Sequence, residues 1–224
     1  MDMGIKGKTA LICGSSKGLG RGCAEALAAE GVNLVMNART SSNLERTAEK
    51  IRKTYKVEVK TIACDVTTVD GQNKVFDTIS NLDILVTNAG GPPPGMWYDW
   101  EQEDFLAALN ANMLTPISFI KAYLPGMIAQ GWGRIVNITS QSVKAPIATL
   151  GLSNAARTGL TGYVAGTARQ VASKGVTINN LLPGVHDTDR IVLIDQSAVR
   201  AEGISMQQVK ARREAGIPVG RYGS

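Results

Sequence analysis

Residues 9–20 read TALICGSSKGLG, and this stretch decides the fold. Its first half, TALICG (9–14), is a short apolar run closed by a glycine, as expected of a buried β-strand. Residues 18–30 then carry apolar side chains at helical spacing, and Gly31 follows as a helix stop. A strand that turns directly into a helix predicts a βα unit at the start of the chain.

The same alternation continues along the chain. Further strands are predicted at 32–38, 57–64, 82–90, 133–139 and 175–184, and further helices at 43–54, 69–80, 101–129 and 152–173. Such alternation predicts right-handed βαβ units and a parallel sheet covered by helices on both faces. We therefore predict an α/β fold, a Rossmann-like doubly wound parallel sheet in three αβα layers, as one domain over 1–224. Residues 188–215 read as a polar helical insertion of the kind that covers a ligand site.

Two of the predicted helices have a defined apolar face. In 43–54 it consists of Leu44, Ala48 and Ile51. In the long stretch 101–129, the side chains predicted to share one face are Phe105, Leu109, Met113, Ile117 and Ile120.

Composition narrows the class of protein. The 224 residues are 44% hydrophobic and 19% charged, which suits a globular domain with a sizeable core. The three cysteines are odd in number and lie in apolar surroundings, so they predict a reduced compartment without disulfides. No signal core and no run of membrane-spanning length is found, which predicts a cytoplasmic protein without membrane contact.

Charge excludes one class of partner. The net charge is +5, but the basic residues are scattered and no basic run interleaved with aromatics occurs. Nucleic-acid binding is therefore not predicted. No metal site is predicted either.

The glycine-rich turn predicts a dinucleotide site. Gly14, Gly18 and Gly20 allow a tight turn and let a pyrophosphate approach the helix N-terminus, where the backbone at Ser16 and Leu19 also lies. The spacing is G-x-x-x-G-x-G rather than the commoner G-x-G-x-x-G. A glycine turn can be only a turn, but its place between strand and helix favours the cofactor.

The end of the second strand favours NADP(H) over NAD(H). An acid there would bind the ribose hydroxyl of NAD and repel a 2′-phosphate. This chain instead has Asn37 and Arg39, and Lys17 in the glycine turn adds a second cation. Arg39 and Lys17 could hold the 2′-phosphate. The alternative is two ordinary surface cations.

Asp65 and Val66 follow the third strand and leave two interpretations open. The carboxylate either reaches the adenine amino group of the cofactor or caps a turn. Spacing alone does not choose between them.

At this point the chain resembles the short-chain dehydrogenase/reductase family over essentially all of its 224 residues. The closing IPVGRYG (217–223) is similar to the 3-oxoacyl-acyl-carrier-protein reductase-like branch. The motifs that carry the resemblance are, in chain order, the glycine turn, Asp65-Val66, Asn88-Ala89-Gly90, Asn112, NITS ending at Ser140, and Pro183-Gly184-x-x-x-Thr188.

The resemblance implies roles for these residues. Asn88, Ala89 and Gly90 would line the cofactor. The nicotinamide end would be held by Pro183, Gly184, Val185 and Thr188. Ser140 would polarise the substrate carbonyl, and Asn112 would hold a water in a proton relay. The alternatives are a strand-end Ser140 that bonds backbone and an Asn112 that is only part of a helix interior.

Two positions depart from the family. Its members carry a Tyr thirteen residues after the Ser and a Lys four further on, whereas this chain has Ser153 and Arg157 there. The i,i+4 spacing is kept, so both side chains share a helix face. A serine is far less acidic than a Tyr phenol, and a guanidinium does not relay protons. Arg157 could still hold the nicotinamide ribose.

Three other side chains are candidates to replace the missing acid. Tyr163 lies nearly three helical turns beyond Ser153 and cannot reach the same point. Lys144 follows Ser140 by four residues, and His186 is the only histidine. Either could act as an acid, or Lys144 is a solvated loop cation and His186 a packing residue.

Two further features concern the substrate and partners. Trp97, Tyr98 and Trp100 follow the GGPPPG loop (90–95) and would line an apolar substrate site, pack a subunit contact or cover the sheet edge.

Family members continue past Ser224 with another helix and a strand that helps to form oligomers. A homo-oligomer, dimer or tetramer, thus stays an open expectation.

Two functions follow from these observations. The first is an oxidoreductase that transfers hydride between NADP(H) and a carbonyl or alcohol, such as a 3-oxoacyl-type or other ketone, with altered acid–base residues. The predicted catalytic set is Ser140, Asn112, Ser153, Arg157 and Lys144. The second is an NADP(H)-binding sensor or scaffold without dehydrogenase turnover.

Overall fold

The computed structural model describes residues 2–224. The chain forms two compact units, a larger one that ends at Leu182 and a smaller one, Pro183–Ser224.

The larger unit contains one six-stranded sheet. Its strands are β1 (Thr9–Ile12), β2 (Asn33–Ala38), β3 (Val59–Ala63), β4 (Ile84–Thr87), β5 (Gly133–Ile138) and β6 (Val176–Leu181). All pairs are parallel, and the order across the sheet is β3-β2-β1-β4-β5-β6. The six predicted strands and the doubly wound parallel sheet are confirmed. The order reverses direction between β1 and β4, so a crevice is expected at the carboxyl ends of these two strands.

Helices cover both faces of the sheet. They are α1 (Gly18–Ala29), α2 (Ser41–Tyr55), α3 (Val69–Thr78), α4 (Gln102–Leu109), α5 (Thr115–Ala129) and α6 (Gly151–Val171). One core lies between the sheet and α1 and α2, and it includes Ile12, Met36 and Leu44. The other lies on the opposite face with α5 and α6, and it includes Leu11 and Phe119. Neighbouring residues of β1 thus point into different cores, as the strand pleat requires.

The predicted face of α2 is confirmed, because Leu44, Ala48 and Ile51 are all buried.

The long stretch 101–129 differs from its prediction. It is helical throughout, but a π-turn at Asn110–Leu114 separates α4 from α5, and the N–H of Thr115 donates to the carbonyl of Asn110. The extra residue in this turn shifts the helix phase. Of the predicted face, Ile120 is fully buried and Met113 and Ile117 pack against the core, whereas Phe105 is exposed. The other deeply buried side chains of α5 include Phe119 and Met127. The regular spacing in the sequence gave no sign of the inserted residue.

The smaller unit contains α7 (Asp189–Glu202) and α8 (Met206–Ala215), so the predicted helical segment 188–215 is two helices. The buried carboxylate of Asp195 joins them to the end of the chain. It accepts hydrogen bonds from Arg213 at 2.5 Å and from the Tyr222 hydroxyl at 3.1 Å. An ion pair with two hydrogen bonds, Arg212 to Glu202, lies nearby on the surface.

None of the helices within residues 2–224 combines the length and apolarity needed to cross a membrane.

Candidate active site

The turn between β1 and α1 depends on its glycines. Gly14 and Gly18 have φ values of +60° and +57°, a backbone conformation that residues with a Cβ atom rarely adopt. Gly20 is required for a different reason, since a Cβ there would lie 2.3 Å from the carbonyl oxygen of Gly14. The same Cβ would lie 2.8 Å from the side-chain nitrogen of Asn88. The glycines therefore keep a narrow space open where β1, β4 and α1 meet.

The first turn of α1 has the features of an anion site. Lys17 is the N-cap residue, its side chain makes no capping bond, and no acidic residue occupies the first turn. Backbone N–H groups at such an end are available to a phosphate, and the helix dipole favours negative charge. Ser15 points inward instead, with its hydroxyl donating to the carbonyl of Asn37. The Ser16 carbonyl accepts from Thr47 of α2, which anchors the turn.

The predicted residues at the end of β2 divide into two kinds. Asn37 is buried, and its amide nitrogen donates to the carbonyls of Ile62 and Cys64 at 2.9 and 3.3 Å. This side chain ties β2 to the end of β3. Arg39 is exposed just beyond the strand.

Asp65 caps the turn after β3, which is one of the two roles that the sequence left open for it. Its carboxylate accepts from the backbone N–H and the hydroxyl of Thr67 at 3.0 and 2.8 Å. The bond from the Thr67 N–H is the main cause that lowers the pKa of Asp65, and the positive charge of Arg39 adds to the effect. Arg39 and Asp65 are thus near neighbours at the carboxyl edge of the sheet.

The end of β4 supplies the predicted cofactor-lining residues. Asn88 donates to the carbonyl of Gly14 at 3.3 Å, Ala89 is half-buried and Gly90 is exposed. Val66 shares a small cavity with Cys13, Asn88 and Ala89. The cavity thus brings together residues that follow β1, β3 and β4.

Arg157 connects Ser153 to the end of β5 and to Thr139, the residue before Ser140. It lies on α6 with only 8% of its surface exposed, and its Nη1 donates to the carbonyls of Ile138 and Thr139 at 2.9 and 3.1 Å. Its Nε donates to the hydroxyl oxygen of Ser153 at 3.1 Å. Ser140, the next residue after Thr139, is half-buried, and its Oγ accepts from the N–H of Ser142.

Asn112 lies in the middle of the π-turn. Its amide nitrogen makes a long bond, 3.4 Å, to the carbonyl of Ala108. Its Oδ1 is buried and has no hydrogen-bond partner among the described residues. Asn112 and Arg157 line one small cavity together with Asn88 and Ile138. An unpaired buried acceptor beside a donor-rich guanidinium suits a water or a polar ligand group.

Lys144 takes no part in these side-chain hydrogen bonds. Lys144 is exposed on the loop before α6. His186 belongs to the smaller unit, where its Nδ1 lies 3.2 Å from the carbonyl oxygen of Gly184 and its backbone pairs with Gly223.

The predicted nicotinamide residues Pro183, Gly184, Val185 and Thr188 also belong to the smaller unit. Thr188 is the N-cap residue of α7. The Val185 carbonyl accepts from the N–H of Gly223.

One aromatic side chain contacts the start of α6. A Cβ at Gly151 would lie 2.4 Å from the ring of Trp100. The glycine at this position, two residues before Ser153, therefore leaves room for the indole. The N–H of Gly95 donates to the carbonyl of Thr149, which ties the two loops together. Trp97 and Tyr98 are exposed by 80% and 63% and contact each other edge to face.

A chain of hydrogen-bonded polar side chains, not identified from the sequence, ends at the backbone carbonyl of Arg157. The hydroxyl of Thr87 donates to Asn137, Asn137 to Asn180, and Asn180 to the hydroxyl of Thr161. Thr161 in turn donates to the carbonyl of Arg157 at 2.8 Å. The signal was present as asparagines within the otherwise apolar strands GRIVNIT and GVTINNLLPG.

Comparisons with known proteins agree on one family. The short chain dehydrogenase family profile matches residues 8–197. A 3-oxoacyl-acyl-carrier-protein reductase of Aquifex aeolicus is 30% identical over 230 residues, which cover 100% of this chain and 88% of the relative. D-beta-hydroxybutyrate dehydrogenase of Cupriavidus necator is 30% identical over 211 residues, 92% of this chain and 81% of that protein.

A solved structure extends the comparison. L-Sorbose reductase from Gluconobacter frateurii, complexed with NADPH and L-sorbose, superposes with a TM-score of 0.92 at 27% identity. The alignment covers 100% of this chain and 87% of that one.

Proposed function

Because the chain belongs to the short-chain dehydrogenase family of oxidoreductases, we propose that it transfers hydride between NADP(H) and a carbonyl or alcohol substrate. The substrate class includes 3-oxoacyl-type and other small ketones.

The chain's own residues fit such a cofactor. The space that a Cβ at Gly14 or Gly20 would fill lies at the N-terminus of α1, where a pyrophosphate would be held. Arg39 and Lys17 would hold the 2′-phosphate, since no acid follows β2 to repel it. Asp65, Val66, Asn88, Ala89 and Gly90 would line the adenosine half and the centre, and Pro183, Gly184, Val185 and Thr188 the nicotinamide end. When bound, the cofactor supplies or accepts the hydride.

One observation carries the proposal beyond cofactor binding. The guanidinium of Arg157 binds both the carbonyls that lead into Ser140 and the hydroxyl of Ser153. A buried positive charge is costly unless it is well bonded. Here it fixes the Ser153 hydroxyl and the backbone that leads into Ser140, an arrangement that supports a reaction at these two side chains.

Each hydroxyl can still act as a donor. Ser140 Oγ accepts from Ser142 and Ser153 Oγ accepts from Arg157, so both O–H groups are left to donate. Such donors, aimed at an oxygen where negative charge develops, stabilise the transition state. Asn112, whose Oδ1 lacks a protein partner among residues 2–224, would hold a water beside them.

The absence of the family's phenolic acid supports a second candidate function, cofactor binding without turnover. A buried serine stands at that position. The chain would then be an NADP(H)-binding sensor or scaffold without turnover.

A titration followed by a turnover assay separates the two. The purified protein is titrated with NADPH and NADH by fluorescence, and ketones, aldehydes and 3-oxoacyl thioesters are then added to the NADPH complex. Substrate-dependent loss of NADPH supports the oxidoreductase. Binding without loss of NADPH on the whole panel supports the sensor.

Ser140→Ala provides the control. Under the first function it abolishes turnover while NADPH binding is kept. Under the second it changes neither measurement.

A further inference from the structure

We propose that Ser153 is the group that donates a hydrogen bond and a proton to the substrate oxygen, and that Arg157 is the positioning residue that polarises it. This inference rests on the proposed oxidoreductase function and names the acid that the chain uses in place of a phenol.

The direction of the Arg157–Ser153 hydrogen bond carries the first step. A guanidinium has only donors, so the Ser153 oxygen must be the acceptor in the 3.1 Å bond from Nε. The serine proton is therefore left for a second partner. Both side chains are buried, at 6% and 8% exposure, so the charge acts in a medium that screens it poorly. A charge-assisted bond to the oxygen makes the O–H a stronger donor.

The remaining bonds of Arg157 explain how it keeps its place. Nη1 donates to the carbonyls of Ile138 and Thr139, and the backbone carbonyl of Arg157 accepts from Thr161. A planar guanidinium held at several points has a fixed orientation, which a single ammonium point charge does not. The same side chain therefore sets the position of Ser153 and of the strand end before Ser140.

The proton step balances with water as co-reactant. As negative charge develops on the substrate oxygen, the O–H bond of Ser153 breaks and a new O–H bond forms on the product alcohol. Ser153 regains a proton from a water molecule, which leaves hydroxide to the solvent buffer. The guanidinium neither gains nor loses a proton, because it does not deprotonate in proteins. Its charge stabilises the oxygen atoms between which the proton moves.

A thiol in place of the Ser153 hydroxyl measures the effect of Arg157 without any cofactor. In Ser153→Cys, a nearby guanidinium favours the thiolate and lowers the pKa of the new thiol. The native thiols should be alkylated slowly, because burial raises the pKa of Cys13 to about 12 and also raises the pKa values of Cys23 and Cys64. The rate of alkylation by iodoacetamide as a function of pH then reports the thiol at 153.

Three further variants make the test specific. Adding Arg157→Gln to Ser153→Cys should raise the pKa of the thiol by about 1–3 units, the size expected from loss of an adjacent opposite charge. Adding Arg169→Gln, which removes an exposed charge in the last turn of α6, should leave it unchanged. Adding Arg157→Met, which removes the charge and keeps an unbranched side chain, serves if the glutamine variant does not fold. An unchanged thiol pKa in the charge-removing variant that folds would overturn the proposal.

Turnover supplies the second arm. Ser153→Ala should lower kcat by about 100-fold or more, the contribution typical of a positioned acid, with NADPH affinity kept. Ser173→Ala, in the exposed turn that follows α6, is the matched control. Full turnover in Ser153→Ala overturns the inference and leaves the oxidoreductase proposal standing. An unmodified protein that binds NADPH but turns over nothing on the panel overturns both.

Discussion

The side-chain nitrogen of Asn88 lies 3.3 Å from the carbonyl oxygen of Gly14, so the end of β4 is tied directly to the turn after β1. These two strands are neighbours at the point where the sheet reverses its order. The contact fixes the floor of the crevice in which the dinucleotide is proposed to lie. It also leaves no room for a side chain at Gly20, whose Cβ would meet both partners.

Gly20→Ala should therefore weaken NADPH binding by about 10-fold or more, equivalent to at least about 1.4 kcal/mol. The new methyl group would lie 2.3 Å from the Gly14 carbonyl oxygen, so the turn must shift. Fluorescence titration measures the affinity. Gly22→Ala is the control, because it lies on the same helix and a Cβ there meets nothing within 4 Å. Equal affinities in the two variants would contradict this account of the turn.

Arg39→Asp should weaken NADPH far more than NADH. The change replaces a cation near the proposed 2′-phosphate by an anion that repels it. Lys53→Asp makes the same change of charge at an exposed position in the last turn of α2, and it should affect both cofactors little. Titration of all three proteins with both cofactors is the measurement. A parallel loss of NADPH and NADH in Arg39→Asp would argue against NADP(H) preference.

Asn137→Leu should lower the free energy of unfolding by about 1–3 kcal/mol, because it leaves buried partners unpaired. The Thr87 hydroxyl and the Asn180 amide oxygen would both lose their hydrogen bonds. Urea unfolding measures the loss. In the double variant Asn137→Leu/Thr87→Val, one stranded partner is removed, so the combined loss should be smaller than the sum of the two single losses. Strict additivity would mean that the polar chain has no cooperative role.

Asp195→Asn should lower the pKa of Tyr222 toward its ordinary value of about 10. That pKa is raised to about 12, first by burial and then by the hydrogen bond to Asp195. The neutral phenol is the form that the fold favours. Its contribution to stability is thus complete below about pH 10 and is lost as the pH rises through about 12.

Ultraviolet absorbance of tyrosinate follows this titration, and Tyr222→Phe identifies the signal. A Tyr222 pKa that is the same with aspartate and asparagine at 195 would show that burial alone sets it.

Much of the fold could be predicted because periodicity in sequence reflects burial. All six strands and the buried face of α2 followed from apolar spacing. The π-turn could not be predicted, since Asn110–Leu114 has ordinary helical residues and the extra residue shows only in its hydrogen bonds. Gly71 was missed for a similar reason. A Cβ there would lie 1.8 Å from the carbonyl of Asp65, a contact that depends on how the chain turns after β3.

The candidate site could be predicted by position more than by bonding. The glycine turn, Asn88 and Arg157 lie at strand ends that the topology brings to one edge of the sheet. Which atoms bond could not be read from residue types. Asn37 is an example, because its amide binds strand carbonyls in the interior. Arg157 is another, since its bonds to the carbonyls of Ile138 and Thr139 require the register between α6 and the end of β5.

The π-turn around Asn112 links the regularity of the helix to the lining of the cavity. Deleting one residue from Asn110–Leu114 would let α4 and α5 fuse into one regular helix. It would also rotate one half against the other by about 100°, the turn that one residue contributes. Asn112 would then no longer line the cavity it shares with Arg157. The irregular turn therefore holds Asn112 at the cavity in place of one continuous, regular helix.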